Sequence, residues 1–404
     1  MMITKISWRN VWRNKLRSGI LITSIAIGLL GGIFTMAMIN GMMESKVEET
    51  LITELGNAQI HKKGFEINNS FKDSIPHYKT LLPILESDSI LKNHSARVVI
   101  NGMGSSANES QGLKIIGIDP QQEKKVTNIE KFFVEGDYFE GKRKNQIVIG
   151  ASLAKKLKIK IRSKIVIAYM GPNNDMINTA YRVVGIFSTS SPDFDKSVAF
   201  VQRKDIWRNT GEQFIHEIAF SSENGGSAPE KITQQINQKI KDPDLNIQTW
   251  KEITPELATL AESGNANSYI ILGIILFALG FGILNSMTMA IFERSRELGV
   301  LMAVGLNRGK VFLMIVLETI YLSMIGAAVG GILVIGIIQY YGEHGLKYAE
   351  TNMGGFSNIL YPSLPAESFI PLFFMVLITA IVSALPPAFR AIKLNPAEAV
   401  RYKG

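Results

Sequence analysis

The sequence predicts a membrane protein of the α+β class: four transmembrane helices, with a large two-lobed extracytoplasmic domain inserted between the first and the second. Three observations carry this reading. Residues 19–41, 263–292 and 368–389 hold no charged side chain, and 311–341 hold Glu318 alone. Each run is long enough to cross a hydrocarbon core of about 30 Å at about 1.5 Å per helical residue. Basic residues gather beside alternate ends of these runs, and the long stretch between the first two alternates short β-branched strands with helical segments.

The chain opens on a basic segment. Arg9, Arg13 and Arg17 fall on one helical face and Trp8, Val11 and Trp12 on another. That pattern suits a helix lying in the membrane interface with its arginines toward anionic lipid, or simply a basic flank that fixes topology. The first apolar run is too long for a cleaved signal, and no small-residue cleavage site follows it, so it is expected to stay as an anchor.

Orientation follows from Lys5, Arg9, Arg13, Lys15 and Arg17 before the first span, Arg294, Arg296, Arg308 and Lys310 between the second and third, and Arg390, Lys393, Arg401 and Lys403 after the fourth. The loop between the third and fourth is acidic, with Glu343, Glu350 and Glu367 against Lys347. Both ends and the 293–310 loop are therefore expected in the cytoplasm, and the insert outside. This asymmetry accounts for part of the net charge of +8. No basic cluster is interleaved with aromatics, so nucleic acid is not an expected partner.

Within the insert, strands are expected at 56–61, 96–100, 113–117 and 215–220, and helices at 78–86 and 229–240, the second opening on Pro229. From about 135 to 209 the texture becomes denser β, with strands at 146–149, 164–168, 181–187 and 197–201 and one helix at 151–157. Residues 173–175, 188–192 and 222–228 read as loops. Residues 254–265 should carry the second span's helix out of the membrane as a stalk, and Pro386-Pro387 should kink or end the fourth span.

Catalytic groups are hard to find. The histidines 61, 77, 94, 216 and 344 are scattered without metal-ligand spacing, and there is no nucleophile elbow. Cysteine is absent, which excludes thiol nucleophiles, thiolate metal sites and disulfides. Gly305-Leu-Asn-Arg-Gly-Lys310 has too few residues between its glycines for a phosphate loop, and valine follows the lysine. No metal is expected, and an enzyme is the weakest reading.

Other residues suit packing and mechanics. Glu318, about two turns inside the third span, is either a polar contact between helices, part of a pathway, or a snorkelling acid. Gly326 and Gly330 offer small faces for close helix approach, as do Gly28, Gly31 and Gly32 in the first span. Met36, Met38 and Met42, with Asn40 among them, give the outer end of that span a soft surface that suits either lipid or a lipid-like substrate. Charged Glu293, Arg294, Arg296 and Glu297 lie on a short polar helix between two spans, and Gly299 and Gly305 permit close approach and a terminating turn. Such a helix can pass force between the spans and a partner.

Three segments match a known family. Trp8-Arg-Asn-Val-Trp-Arg-Asn-Lys-Leu-Arg17 is similar to its amino-terminal elbow helix, Glu293-Arg-Ser-Arg-Glu-Leu-Gly-Val-Leu-Met-Ala-Val-Gly305 to its coupling segment, and Pro387-Ala-Phe-Arg-Ala-Ile-Lys-Leu-Asn-Pro-Ala-Glu-Ala-Val-Arg401 to its carboxy-terminal signature. Over its whole length the chain resembles an FtsX/MacB-type ABC transporter permease. Met38-Ile-Asn-Gly-Met42, Ala58-Gln-Ile-His-Lys62, and Asp193-Phe-Asp195 before Val198-Ala-Phe-Val201 are similar to the lipoprotein-releasing (LolC/LolE) branch.

The resemblance implies a bacterial inner-membrane subunit of the mechanotransmission type, in which ATPase closure moves stalks and periplasmic lobes without a through-channel. It implies a separate cytoplasmic ABC ATPase that binds ATP and Mg, no cofactor on this chain, and a second permease, identical or related. Lipoprotein cargo taken from membrane lipid and a periplasmic acceptor follow from the branch. Export of peptides or amphiphiles, and activation of a cell-wall hydrolase, stay open as alternatives; the macrolide-exporter subgroup differs in carrying a fused ATPase domain.

The implied order is an elbow helix at 1–17, spans at 18–42, 266–292, 311–341 and 368–389, a periplasmic domain of porter and sabre-like lobes at 43–265, a coupling helix at 293–310, an outer loop at 342–367 and a tail at 390–404.

Overall fold

The computed structural model describes residues 2–65, 71–88, 90–139, 143–221, 229–347 and 359–393. The chain divides into two compact units, one built from 1–43, 262–347 and 359–404 and the other chiefly from 44–261.

The first unit is helical. Helix α1 (Met2–Arg13) is followed after one residue by α2 (Lys15–Thr50), which runs on as a π-turn over Leu51–Leu55. The helix therefore extends well past the uncharged run, because Glu44-Ser-Lys-Val-Glu-Glu favours helix and nothing stops it before Gly56, whose φ of 69° suits glycine. On the other side of the insert the second spanning helix starts at Pro255 and continues to Glu293.

A short helix, Ser295–Ala303, two further spanning helices, Arg308–His344 and Phe369–Ile392, and a small antiparallel pairing of Leu346–Lys347 with Ile359–Leu360 belong to the same unit. Among the described residues, four helices are long and apolar enough to cross a membrane. The last does not end at Pro386-Pro387 but passes through both; Pro387, Ala388 and Ala391 are buried beyond the break in hydrogen bonding, so packing holds the helix where its backbone ladder is interrupted.

Among its described residues the second unit has ten strands: β1 (Ala58–Lys62), β2 (His94–Ser105), β3 (Ser110–Ile118), β4 (Phe133–Gly136), β5 (Gln146–Gly150), β6 (Lys164–Met170), β7 (Met176–Phe187), β8 (Val198–Gln202), β9 (Glu217–Phe220) and β10 (Leu245–Thr249). They pair in the order β10-β1-β9-β2-β3-β8-β5-β7-β4, with β6 joining β2 and β7. Strand β2 belongs to both halves. Its residues 94–97 pair with β9, and 98–105 pair with β3. The β-rich segment and the mixed segment thus share strands. Ile60, Val98, Ile147, Ile165 and Phe220 are fully buried in the common core.

Helices in this unit, in chain order, are α3 (Tyr78–Glu86), α4 (Pro120–Glu123), α5 (Ala151–Leu157), α6 (Pro192–Ser197), α7 (Arg203–Thr210), α8 (Pro229–Lys239) and α9 (Trp250–Ile253). The long helix Pro255–Glu293 is then α10, the short one Ser295–Ala303 is α11, and the last two spans are α12 (Arg308–His344) and α13 (Phe369–Ile392). Helices α6 and α7 correct the expectation of a single helix between 135 and 209. Helix α7 has one aliphatic residue, Ile206, and so no apolar periodicity to betray it; Ser191 and Pro192 form a cap and first turn that read as a loop.

Helix α6 buries Asp195, which is 2% exposed. Burial pushes its carboxyl up to about 6, although the Thr189 N–H and hydroxyl both donate to it; nearby Glu49 raises it further. A folded-state value above the unfolded one costs nothing at low pH and becomes a penalty as pH rises through about 6. Asp195→Asn, which keeps an acceptor for Thr189, is therefore expected to stabilise the purified protein by on the order of 1–3 kcal/mol at pH 7.5 and not at pH 4. Thermal unfolding at the two pH values checks this.

Candidate functional site

The charged residues flanking the spans converge on α11. Helix α1 lies along α12: the Ser7 hydroxyl donates to Met314 O at 3.2 Å, and the Trp8 ring meets Tyr321 edge-on at 5.4 Å. The chain then turns at Asn14, where the Ser18 hydroxyl donates to Val11 O. This turn aims Arg13 and Arg17 at the α10–α11 corner. Arg13 pairs with Glu297 and Arg17 with Glu293. Of the three arginines read as facing anionic lipid or simply fixing topology, Arg13 and Arg17 are engaged by acidic partners within the protein.

Arg294 links both layers. Its Nε lies 3.3 Å from Glu297 Oε2, and its Nη1 lies 3.1 and 3.2 Å from the two Glu318 oxygens. Glu318 is 8% exposed on α12. It is thus a paired acid inside the helical unit. Around Glu297, the Arg13 hydrogen bond holds the carboxyl below the usual range against a burial effect that raises it, with Arg294 adding to the lowering. Each surface pair alone contributes little, but the linked series Arg13, Glu297, Arg294 and Glu318 ties α11 to α1 and α12, and the pair of Arg17 with Glu293 ties α2 to the end of α10.

On α11 itself, Leu298 and Gly299 face inward and are buried. Gly305 has a φ of 99°, a conformation that admits the tight turn into Asn307, whose side chain accepts from the Gly309 N–H at 3.1 Å to cap α12. Arg296 faces outward, as do Val300, Leu301 and Val304, the last 83% exposed. The result is a short helix clamped on one side, with an apolar and basic face on the other.

The glycines place the spans. A Cβ on Gly326 would lie 2.8 Å from Ile25 Cβ, and one on Gly330 would lie 2.8 Å from Ala26 O, so α12 crosses α2 at near backbone contact. Gly28 and Gly32 receive Leu279, Leu272 and Ile275 of α10 on the other side of α2, whereas Gly31 faces open space. At the far end of α2 the Tyr361 carbonyl closely approaches Gly41, and Ser363 N–H donates to Ala37 O at 3.0 Å.

Of the residues read as facing substrate, Met36 is 3% exposed and packed in the core of the spans, which corrects its reading as open surface. Met38 and Met42 are half-buried, and Asn40 accepts from the Ser268 hydroxyl at 3.4 Å. Arg13 and Arg17 are the members of the α11 network that sequence reasoning missed. One signal was available: the two arginines are four residues apart, as are Glu293 and Glu297, a matched spacing across two short helix breaks.

Residues 18–242 match the model of the MacB-like periplasmic core domain, and 269–396 match that of the FtsX-like permease C-terminal region. The chain is 27% identical over 333 residues to the lipoprotein-releasing system transmembrane protein LolC of Buchnera aphidicola, covering 78% of this chain and 77% of the relative. It is 23% identical to the macrolide export ATP-binding/permease protein MacB of Bdellovibrio bacteriovorus, covering 96% of this chain but 60% of that protein's length. Among solved structures, the periplasmic region of MacB from Actinobacillus actinomycetemcomitans aligns at 16% identity and a TM-score of 0.36, over 50% of this chain and 94% of that one.

Proposed function

Since the chain belongs to the FtsX/MacB-type family of ABC transporter permeases, we propose that it extracts lipoproteins from the inner membrane and passes them to a periplasmic acceptor, driven by a separate cytoplasmic ATPase. It is a multi-pass inner-membrane protein with a MacB-like periplasmic domain between its first and second spans. The observation that supports the cargo assignment is the alignment with the lipoprotein-releasing relative, at 27% identity over 78% of this chain; the macrolide exporter aligns at 23% identity over 96% of it.

In this reading α11 receives the ATPase. Its outward face, with Arg296, Val300 and Val304, offers a partner groove apolar contact and positive charge. The inward side is tied by Arg294 to Glu318 on α12 and by Glu297 to Arg13 on α1, so displacement of α11 must move or break these links. ATP and Mg are bound by the partner. Half-buried Met38 and Met42 at the outer end of the first span supply adaptable surface to an acyl chain, while Met36 holds the helix in the bundle.

Depleting the protein is expected to leave lipoproteins stranded in the inner membrane, read by membrane fractionation. A normal distribution in cells that lack any related permease would contradict the assignment. The runner-up, export of peptides or amphiphiles from the periplasm, is favoured by the match of 18–242 to the MacB-like core; it is expected to leave lipoprotein sorting intact and to raise sensitivity to the exported compound.

A further inference from the structure

We propose that the periplasmic domain carries a binding site for an oxyanion, a carboxylate or phosphate borne on a small polar molecule, in the cavity at the carboxyl ends of β3 and β8. This goes beyond the transport reading and does not depend on it. Strands β3 and β8 run parallel, with Ile118 opposite Gln202, and each turns directly into a helix. Chains that diverge from the carboxyl ends of neighbouring parallel strands leave a crevice between them. Here the crevice has a volume of about 380 Å³, within the range that holds a small ligand. Phe139 and Ile118 give it apolar wall, and Gln121, Gln202, Arg203 and Lys204 give it donors.

Arg203 makes the cavity chemically specific. It is 8% exposed, yet among the described residues no carboxylate reaches it within ion-pair distance. One Nη donates to Ala96 O, and the guanidinium lies over the Trp207 ring at 4.8 Å, while Nε is buried with no partner. A buried guanidinium costs stability unless an anion and hydrogen-bond acceptors complete it. Arg203 lines the cavity, so an oxyanion entering it meets the positive charge that, among the described residues, no carboxylate neutralises.

Lys204 is exposed at the same rim and adds a second positive charge. The opposing charge is Asp119, whose side chain accepts from the Gln121 N–H at 3.0 Å and caps the turn that follows β3. Its carboxylate therefore weakens anion binding without occupying the arginine. Glu123, one turn further, is bound to Arg97 at 2.6 Å and acts on Arg203 only through space.

The full-length protein in detergent, titrated calorimetrically at low salt with glycerol 3-phosphate and with acetyl-alanyl-alanine, tests the proposal. At least one oxyanion should bind. Lys204→Glu should weaken that binding by about tenfold or more, and Asp119→Asn, which preserves the cap, should strengthen it several-fold. Arg203→Gln should abolish it; if that variant folds poorly, the two rim variants still decide. Binding of the phosphate ester alone identifies phosphate recognition, binding of the peptide alone identifies carboxylate recognition, and binding of both identifies the oxyanion itself. The proposal is overturned if neither binds, if the peptide amide binds as tightly as the acid, or if binding is indifferent to both rim substitutions.

Discussion

Replacing Arg97 with alanine is expected to cost about 3–5 kcal/mol and to remove most of the folded protein, because it strands two buried carboxylates. Arg97 is 1% exposed at the point where β2 passes from one half of the sheet to the other. Its Nε and Nη2 fork onto Glu123 at 3.0 and 2.6 Å, and its Nη1 reaches Glu217 at 2.6 Å and Glu54 O at 2.7 Å. Ser95 and Thr127 donate to Glu123, at 2.7 and 2.8 Å.

Burial acts to raise the Glu217 carboxyl, but Arg97, then His61 and Lys114, outweigh it and hold it at about 2. Its stabilisation is therefore complete above the ordinary carboxylate value and is lost as pH falls from about 4.5 to about 2. With Arg97 gone, Glu217 can protonate instead, so the deficit of the alanine variant should shrink in acid. Arg97→Lys keeps the charge without the fork and should fall between the two. Yield and thermal unfolding of the purified protein at pH 7.5 and pH 4.5 measure all three.

The second large effect is expected at Arg294. Arg294→Glu places a carboxylate against Glu318 in the helical unit and removes the link to Glu297, and should reduce cargo-stimulated ATP hydrolysis by about tenfold or more even where protein accumulates. Reversing the pair, Arg294→Glu with Glu318→Arg, restores attraction and should recover part of the loss. Recovery separates a coupling contact from a simple folding defect; if the single reversal leaves both assembly with the ATPase and hydrolysis unchanged, the α11 link carries no force.

The spans were legible because exclusion of charge over some twenty residues has few other meanings. Most strands were legible too: the β-branched alternation at 164–168 and 181–187 lies inside β6 and β7. Helix α7 was not, since its polar sequence earns no periodic signal and its burial of Arg203 and Asp205 is decided by tertiary contacts. The helical continuation of α2 beyond residue 43 was missed for a related reason, a polar segment with good helix propensity and no stop before Gly56. The polar segment 293–305 stood out by its position between spans, but its partners within the fold did not. Arg13 and Glu297 are 284 residues apart in the chain, and Arg97 is 120 residues from Glu217; such pairs are set by the fold and leave at most a matched spacing behind.

Release of an acylated protein from a bilayer tests the account most directly. With the permease and its ATPase reconstituted in proteoliposomes loaded with a lipoprotein, ATP and a soluble acceptor should transfer the acylated protein to the supernatant, and Arg294→Glu should abolish transfer. Steady ATP hydrolysis with the lipoprotein retained in the bilayer would contradict it.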